Sequence, residues 1–438
     1  MADSDQKQKA VPTSRLSRFG RMARLTAGVA TGVLAEGARQ LSQGNAPKMS
    51  DMLLTPANAR RVAKQLSTMR GAAMKVGQLL SMESNELLPK ELATILAQLR
   101  DSAVSMPRQQ LETVLIENLG EDWLALFTNF DFTPLAAASI GQVHRATTLE
   151  GDDIVLKIQY PGISKSIDSD VDNIASLLKI TNLIPEHMDI SDLLADAKRQ
   201  LHDEANYFTE LDYLSRFSEV FAQWDQVLVP TPYEELTTQH ILAMSYQDGV
   251  PIEEAGEYAG VSADEIMTDL FRVYAAELFE LRLMQTDGNF ANFRYDLDSN
   301  SLVLLDFGAA REFSSDFVKK YAGLMRAAMD QDQDALIQAA DALGYEASKA
   351  DTAYQELLIN VFTIALEPFA TSGVYDFSEG AITERLAELT NLAYDFKKYW
   401  QTPPTDILYL HRKLGGLYLL ANRLGAKVDC SAIIRKYI

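Results

Sequence analysis

The chain has 438 residues, of which 61 are acidic and 40 are basic, so its formal net charge is −21. This length allows two or three compact units with sizeable cores, and the acidic balance argues against a general nucleic-acid-binding protein because phosphate repels such a surface. The one cysteine, Cys430, excludes an internal disulfide framework and a cysteine-based zinc site, and it suits a reducing cytosol.

Residues 1–50 form a basic segment in an otherwise acidic chain. After a polar start that we expect to be flexible, four arginines recur at every third residue with apolar side chains between them. On a helix this spacing places a basic strip beside an apolar one, which suits contact with an anionic membrane surface. The pattern also fits a helix packed against the protein or an arginine-rich transit peptide, and the sequence leaves these alternatives open. The arginines are Arg15, Arg18, Arg21 and Arg24.

Residues 51–128 are predicted to form an all-helical extension. Apolar residues recur at helical spacing over 57–80, and start and stop signals predict two further helices at 89–100 and 111–119. The first of the three carries a Lys-Val-Gly-Gln tetrad at 75–78.

The remainder predicts a two-lobed α+β architecture, with a smaller lobe at 129–247 and a helical lobe at 248–438. Alternating apolar and polar residues mark strands, and helical periodicity marks helices. Strands are expected within 130–143, at 153–159 after a Gly-Asp hairpin turn, at 227–230, at 241–244 and at 302–305. The first four are expected to complete a small sheet by residue 246. Helices are expected at 167–181, at 190–221 and over most of the chain after 262.

Four short segments occur in the order found in protein kinases. They are an alanine-rich turn, a lysine in a strand, an aspartate followed five residues later by an asparagine, and an Asp-Phe-Gly triplet. In a protein-kinase-like fold these are the nucleotide-covering loop, the phosphate-holding lysine, the catalytic loop and the metal-binding aspartate. Each motif alone is weak, but the four in this order predict a protein that binds ATP and Mg²⁺. After the turn, the residues concerned are Lys157, Asp287, Asn292 and Asp306.

The alanine-rich turn stands where ordinary kinases have a glycine-rich loop. Three methyl groups restrict positive φ and stiffen the turn, so we expect a nucleotide geometry that differs from that of a protein kinase. We assign nucleotide binding to this turn, to Lys157 and to Met244 near the end of the small sheet. The turn consists of Ala136, Ala137, Ala138 and Ser139.

The catalytic and metal-binding roles follow from the chemistry of the side chains. Asp287 is the expected catalytic base or substrate-orienting acid. Asn292 and Asp306 are the expected Mg²⁺ ligands, because amide and carboxylate oxygens suit that ion.

Together with the tetrad and a Glu-Leu-Asp segment at 210–212, these motifs resemble the UbiB atypical kinase-like family, whose best-known members support coenzyme Q (ubiquinone) biosynthesis. The resemblance runs from about residue 52 to the C-terminus. It implies a two-lobed protein-kinase-like fold with an N-terminal all-helical extension. It further implies that Lys75 and Gln78 meet Glu210 and Asp212 over the active site.

The family pattern also suggests side-chain partners. Lys157 is expected to pair with Glu204, which lies six residues ahead of Glu210. Glu210 and Asp212 are two residues apart, so on a helix they point about 200° from each other and cannot share one face. The lack of a His-Arg pair before the catalytic aspartate is expected for the family, whereas Gly288 replaces a proline common there, which predicts a looser loop.

The leading hypothesis is an ATP-binding, Mg²⁺-dependent atypical kinase or ATPase that supports ubiquinone biosynthesis at a membrane surface. Protein substrates are not expected, because an extension over the cleft would obstruct them. The alternative is a non-catalytic module whose cleft clamps ADP or ATP while its helices hold a lipid or a partner protein. A small-molecule antibiotic kinase shares the aspartate motifs but gives no reason for the tetrad.

Expected partners are an adenine nucleotide, a lipid or quinone-precursor ligand and quinone-biosynthesis proteins, with no nucleic acid. No run of about twenty apolar residues occurs, so no transmembrane helix is predicted. The expected location is the cytoplasm, with peripheral contact at the inner membrane as an option.

Overall fold

The computed structural model describes residue 66 and residues 69–83, 105–180, 190–393 and 405–438. The chain divides into two compact units, the first formed by residues up to Leu211 with Pro232–Tyr246, the second by Asp212–Thr231 with Gln247–Ile438. The basic segment at 1–50 and the helix predicted at 89–100 lie outside the described residues. Within the described ranges, no helix is both long and apolar enough to cross a membrane.

The described residues contain thirteen α-helices, most of them in the second unit. In chain order they are α1 (Arg70–Glu83), α2 (Arg108–Leu119), α3 (Ile167–Ile180), α4 (Ser191–Glu204), α5 (Tyr207–Phe221), α6 (Ala263–Ala276), α7 (Ser315–Met329), α8 (Gln333–Ala342), α9 (Thr352–Ala365), α10 (Glu367–Ala370), α11 (Ile382–Ala393), α12 (Thr405–Leu424) and α13 (Cys430–Ile434).

Thirteen short strands accompany them in the same part of the chain. They are β1 (Phe127–Phe130), β2 (Ala136–Ala137), β3 (Gly141–Thr148), β4 (Asp153–Gln159), β5 (Val227–Leu228), β6 (Ile241–Ser245), β7 (Val250–Pro251), β8 (Leu283–Gln285), β9 (Phe293–Asp296), β10 (Ser301–Leu304), β11 (Ala310–Glu312), β12 (Tyr375–Asp376) and β13 (Lys427–Val428).

The sheet of the first unit has the order β1-β3-β4-β6, with β2 paired to β3, and every pair is antiparallel. Strand β4 occupies the bounds predicted for it and is buried along all but its first residue. Its apolar side chains Ile154, Leu156 and Ile158 join a core that includes Trp123 and Phe130. This burial fixes β4 in register, so Lys157 lies opposite Val143 on one side and Leu242 on the other.

The second unit is mainly helical, as predicted, around a four-stranded sheet of order β5-β10-β9-β7. Five of its helices begin at a serine or aspartate whose side chain accepts an N–H of the first turn, which satisfies a donor that the helix leaves unpaired. Strand β8 pairs with β11, so that Gln285 lies opposite Ala310. This pairing holds the segment ahead of the predicted catalytic loop against the segment that follows Asp-Phe-Gly. The capping residues are Ser262, Ser314, Asp332, Asp351 and Asp429.

Two predictions about these elements were wrong. The helix predicted at 190–221 is divided into α4 and α5, because the side chain of Asn206 accepts the N–H of Phe208 and starts a new helix. The strand predicted at 227–230 is shorter and lies in the second sheet, where it runs parallel to β10. A two-residue strand is too short for its sequence pattern to indicate which strand it pairs with. The pairing is extended by a backbone hydrogen bond from Leu302 N to Gln226 O, 2.8 Å long.

Candidate active site

A buried ion pair joins the strand lysine to a helix. Lys157 Nζ lies 2.7 Å and 2.9 Å from the two carboxylate oxygens of Glu210, and the side chains are 5% and 2% exposed. The prediction that Glu204 is this partner was wrong. The break between α4 and α5 leaves Glu204 at the end of α4, whereas Glu210 falls in the first turn of α5 and faces the sheet. Lys157 therefore has a fixed orientation, with the ring of Tyr207 5.5 Å from its ammonium group.

Glu204 takes part in a separate cluster that ties three elements together. Its carboxylate accepts a hydrogen bond from Ser139 Oγ in the alanine-rich turn, and Lys75 Nζ on α1 lies 3.7 Å from it. Helix α1 also packs on the turn at Gly71, where a Cβ would lie 2.9 Å from Ile140 Cγ2 and 3.2 Å from the carbonyl oxygen of Ser139. Lys75 is therefore anchored beside the turn. The side chain of Gln78 lies outside the described residues.

The alanine-rich turn is the tip of a tight hairpin. Ala136 and Ala137 form β2 against β3, and Ala138 N donates to Gly141 O at 2.9 Å. None of the three alanines has a positive φ, so the turn does not adopt the left-handed backbone that a glycine-rich loop permits. Met244, the remaining residue assigned to the nucleotide, is buried in β6 opposite Val155.

Glu210 and Asp212 have opposite environments, as their two-residue spacing requires. The side chain of Glu210 is buried on Lys157, whereas that of Asp212 is 66% exposed and lies 3.7 Å from Arg216, one turn further along α5. Only Glu210 of the two therefore belongs to the buried pair.

The predicted catalytic aspartate has a cationic partner that no motif in the sequence indicated. Arg412 Nη2, on α12, lies 2.8 Å from Asp287 Oδ1, and both side chains are mostly buried. The next residue, Gly288, packs on α12 beside Gly416. The loop is thus held by a helix more than a hundred residues away in sequence.

Asn292 and Asp306 are brought together by the backbone. Leu305 N donates to Asn292 O at 2.9 Å, which places the asparagine beside the residue that precedes Asp306. Asp306 has φ of +61°, a left-handed conformation that is uncommon outside glycine and is often found at functional sites. Its Oδ1 accepts the N–H of Gly308 at 3.3 Å.

These two residues fit the Mg²⁺ that the sequence predicts. Asn292 is buried, and in the described part of the chain its amide Nδ2 has no hydrogen-bond partner, so this donor is left for a water or a phosphate oxygen, while the oxygen of the same amide is the atom that would face the ion. Mg²⁺ takes oxygen ligands, often one or two from protein and the rest from water and phosphate. In the described ranges, no group of three or more His, Cys, Asp or Glu side chains is clustered as a metal site.

Gln285 is a further candidate for the site, to which the sequence analysis assigned no role. It is buried two residues before Asp287, where protein kinases have histidine, and its Nε2 donates to Asp306 O at 2.6 Å and also to Leu305 O. One amide therefore tethers the Asp-Phe-Gly backbone to the catalytic loop. The lack of a His-Arg pair before Asp287 was expected for the family, but no role was predicted for Gln285, although a glutamine at the end of a buried strand was a usable signal.

The Asp-Phe-Gly segment has two further anchors in the second unit. Thr286 Oγ1 donates to Ala309 O at 2.7 Å, and the buried ring of Phe307 lies 4.8 Å from that of Phe217. Ahead of β8 in the chain, the carboxyl group of Glu277 is buried. Burial raises the pKa of Glu277, and the nearby ammonium group of Lys413 opposes this shift. The second unit thus holds Asp287, Asn292 and Asp306 in one connected set of loops.

Comparison with known proteins gives concordant matches. A family model described as the ABC1 atypical kinase-like domain matches residues 98–340. The chain is 37% identical over 426 residues to "Atypical kinase COQ8B, mitochondrial" of Rattus norvegicus, covering 97% of this chain and 80% of that protein. It is 34% identical over 432 residues to "Atypical kinase COQ8, mitochondrial" of Saccharomyces cerevisiae, covering 98% and 86%.

A solved structure supports the fold independently. The chain is similar to Rv3197 of Mycobacterium tuberculosis, solved in complex with erythromycin, with a TM-score of 0.61 and 22% identity over 87% of this chain and 95% of that one. At this identity the likeness concerns the fold alone.

Proposed function

The chain belongs to the ABC1 atypical kinase-like family that includes the UbiB and COQ8 proteins, and on that premise we propose that it is an ATP-binding, Mg²⁺-dependent atypical kinase or ATPase that supports ubiquinone biosynthesis. The observation that carries the proposal is the Lys157–Glu210 pair. A buried ion pair contributes little net stability because both charges lose their hydration. A lysine held this way by both carboxylate oxygens is well suited to a fixed phosphate-binding role.

The remaining roles are part of the same proposal, which the geometry within each unit supports. Asp287 accepts a proton from, or orients, the attacking group, and its rotamer is held by Arg412. Asn292 and Asp306 hold Mg²⁺, which when bound neutralises the charge of the phosphates. The alanine-rich turn covers the phosphates, and Met244 contacts the base.

The proposed acceptor is water or a small lipid-like molecule, such as a quinone precursor, and not a protein. Lys75, which contacts Glu204, and Gln78 are proposed to lie beside Glu210 over the phosphate-binding Lys157, where they would obstruct a polypeptide. The basic segment with Arg15 and its successors is proposed to touch an anionic membrane surface. The relatives named above are mitochondrial, and for this chain we propose a cytoplasmic location with peripheral contact at the inner membrane.

One observation favours the alternative of a nucleotide-gated, non-catalytic module. Ser139 in the turn and Lys75 on the extension both contact Glu204. A ligand that displaces the turn would disturb this cluster and so could signal to the extension without chemistry.

Phosphate release separates the two functions. Purified protein is given ATP with Mg²⁺, with and without vesicles of phosphatidylcholine containing an anionic lipid. A kinase or ATPase is expected to release phosphate in a Mg²⁺-dependent way, and Asp287→Asn is expected to lower the rate by about 10²-fold or more while nucleotide binding persists. Nucleotide binding with no release under either condition would favour the gated module, and no nucleotide binding at all would overturn both.

The pathway is tested in the cell. Deletion of the gene followed by extraction and quantification of quinones is expected to lower ubiquinone, and expression of the wild-type chain is expected to restore it. The Lys157→Met variant should fail to restore it. Unchanged ubiquinone after deletion would contradict the proposed pathway.

A further inference from the structure

Four residues of helix α12 contact the predicted catalytic loop and the segments on either side of it. It runs over twenty residues, Thr405–Leu424, lies outside the stretch matched by the family model, and is part of the second unit, as are all the segments that it contacts. Its contacts fall on the catalytic loop itself, on the helix before it and on the strand after Asp-Phe-Gly.

The contact on the loop combines a charge pair with close backbone packing. Arg412 Nη2 lies 2.8 Å from Asp287 Oδ1, with side chains 24% and 19% exposed. One turn further along α12, a Cβ on Gly416 would lie 3.3 Å from Gly288 O and 3.4 Å from Gly288 Cα. The missing side chain at Gly416 therefore lets the loop backbone rest directly on the helix.

The contact before the loop is a second ion pair. Lys413 Nζ lies 3.3 Å from Glu277 Oε2, with side chains 2% and 1% exposed. Glu277 begins a π-helical turn, Glu277–Leu281, that leads into β8. Breaking such a pair leaves a buried charge uncompensated, so the joint between α12 and this turn is costly to open.

The contact after the loop is a third ion pair. Arg311, in β11, lies 2.8 Å from Asp406 in the first turn of α12. Strand β11 pairs with β8, and the catalytic loop follows β8. The helix therefore contacts one strand of this ribbon and the segments that precede and follow the other. Adjacent cations on α12 thus hold the loop and the turn behind it at the same time.

We propose that α12 is the positioning element of the catalytic loop and that Arg412 is a positioning residue that holds Asp287 in its working rotamer. This inference rests on the proposed function, since it assigns Asp287 to phosphoryl transfer. Reactive groups must be placed to within about 1 Å, and misplacement on that scale costs about 10²-fold in rate. Gly288 stands where a proline ring would stiffen the catalytic loop, so the loop lacks that restraint. The contacts with α12 restrain its backbone instead.

The test compares Arg412→Gln with a matched control. Arg385→Gln removes an arginine from another ion pair of the second unit, in which Nη1 lies 2.7 Å from Glu367. Phosphate release under steady-state conditions gives kcat and KM for Mg²⁺·ATP. Arg412→Gln is expected to lower kcat by about 10- to 100-fold with KM changed by less than about twofold, Arg412→Lys is expected to recover part of kcat, and Arg385→Gln is expected to match the wild type.

A double variant shows whether Arg412 acts through Asp287. Asp287→Asn and Asp287→Asn/Arg412→Gln are expected to have the same residual kcat, because an orienter has nothing left to orient. A wild-type kcat in Arg412→Gln, no recovery in Arg412→Lys, or an equal further loss in the double variant would overturn the proposal.

Thermal unfolding tests the contact without any turnover when it is measured for the wild type, Arg412→Gln, Asp287→Asn and the double variant. The two single variants are each expected to lower Tm by about 2 °C and the double variant by no more than the larger of the two. Additive shifts would overturn the positioning contact. Failure of the proposed function has a different signature, since the wild type would then release no phosphate while the non-additive Tm shifts remained.

Discussion

Two carboxylates six residues apart serve two different lysines in the first unit. Glu210 accepts two hydrogen bonds from the buried Lys157, and Glu204 joins Lys75 to Ser139 of the alanine-rich turn. Residue type alone does not distinguish these roles, since both are glutamates on helices. Their different partners give the two positions different expected effects when each is truncated.

Truncation of Glu210 should damage the protein more than truncation of Glu204. Glu210→Ala leaves the Lys157 ammonium buried without its anion, which costs about 3–5 kcal/mol of unfolding free energy. Glu204→Ala is expected to cost less, because its lysine contact is longer, at 3.7 Å, and closer to solvent. Urea unfolding of both variants is the measurement, and an equal or larger loss for Glu204→Ala would contradict this ranking.

Loss of the negative charge at Asp306 should weaken binding of metal and nucleotide together. Asp306→Asn keeps a residue that tolerates the left-handed backbone at φ +61°, so the fold is expected to survive. We expect Mg²⁺·ATP affinity to fall by about 2–4 kcal/mol if the carboxylate is desolvated by its ligand. Titration calorimetry checks this, with the exposed hairpin variant Asp298→Asn as control, and an unchanged affinity would exclude Asp306 as a ligand.

At the scale of elements, two parts of the proposed site are restrained by tertiary contacts: the alanine-rich hairpin tip in the first unit and the catalytic loop in the second. The tip is closed by the bond from Ala138 N to Gly141 O and tied to α4 and α1 through Glu204. Helix α12 restrains the catalytic loop through Arg412. Both restraints are tertiary contacts, and each is open to a test by substitution.

A glycine in the turn should change nucleotide preference. Ala138→Gly gives the backbone access to positive φ, which costs an alanine about 1 kcal/mol, so the turn can follow the phosphates more closely. We expect the ratio of ADP to ATP affinity to change while Tm stays nearly constant. Titration of both nucleotides into wild type and variant is the measurement. The same ratio in a folded variant would mean that this turn does not cover the phosphates.

Helix α12 should be sensitive to acid through His411. Burial beside the ring of Tyr321 lowers the pKa of His411 from its ordinary value of 6.5 to about 4. The unfolded chain therefore binds a proton more readily than the folded one, and the stability that depends on neutral His411 is full above pH 6.5 and is lost as pH falls towards 4. Urea unfolding from pH 7.5 to 4.5 is expected to show a smaller loss in His411→Gln than in wild type. Identical pH profiles would contradict it.

The sequence predicted what depends on local pattern. Strand β4 keeps the predicted bounds because nearly its whole length is buried, and α3 covers the described part of its predicted range, 167–180. The order of the motifs also indicated the kinase-like fold before any contact was known. The break at Asn206 was missed because its cause, a side-chain cap, competes with continuing helical periodicity.

Partners distant in sequence were the part that could not be predicted. Arg412 lies 125 residues after Asp287, and nothing in the spacing of either residue indicates the other. No role was predicted for Gln285 for a different reason, because nothing in the sequence indicates that its amide contacts the backbone of Asp306 about twenty residues later. Contacts of this kind depend on how helices and loops pack, which one sequence does not specify.

At the scale of the whole molecule, the candidate machinery extends beyond the domain that defines the family. The family model matches residues 98–340, whereas Lys75 precedes that range and Arg412 follows it. The strand lysine and its carboxylate lie in the first unit, whereas the predicted catalytic loop and the predicted metal ligands lie in the second. The proposed function requires that nucleotide and Mg²⁺ bind this chain together.

Thermal unfolding with nucleotide tests that requirement most directly. ATP at about 100 times its Kd with Mg²⁺ should stabilise the protein by about 2.7 kcal/mol and raise Tm measurably. ATP with EDTA should give little or no shift, because in the proposed function Asn292 and Asp306 would reach the phosphates only through the metal. The Asp306→Asn variant should lose the Mg²⁺-dependent shift. An equal shift with EDTA and with Mg²⁺, or no shift with either, would contradict the account.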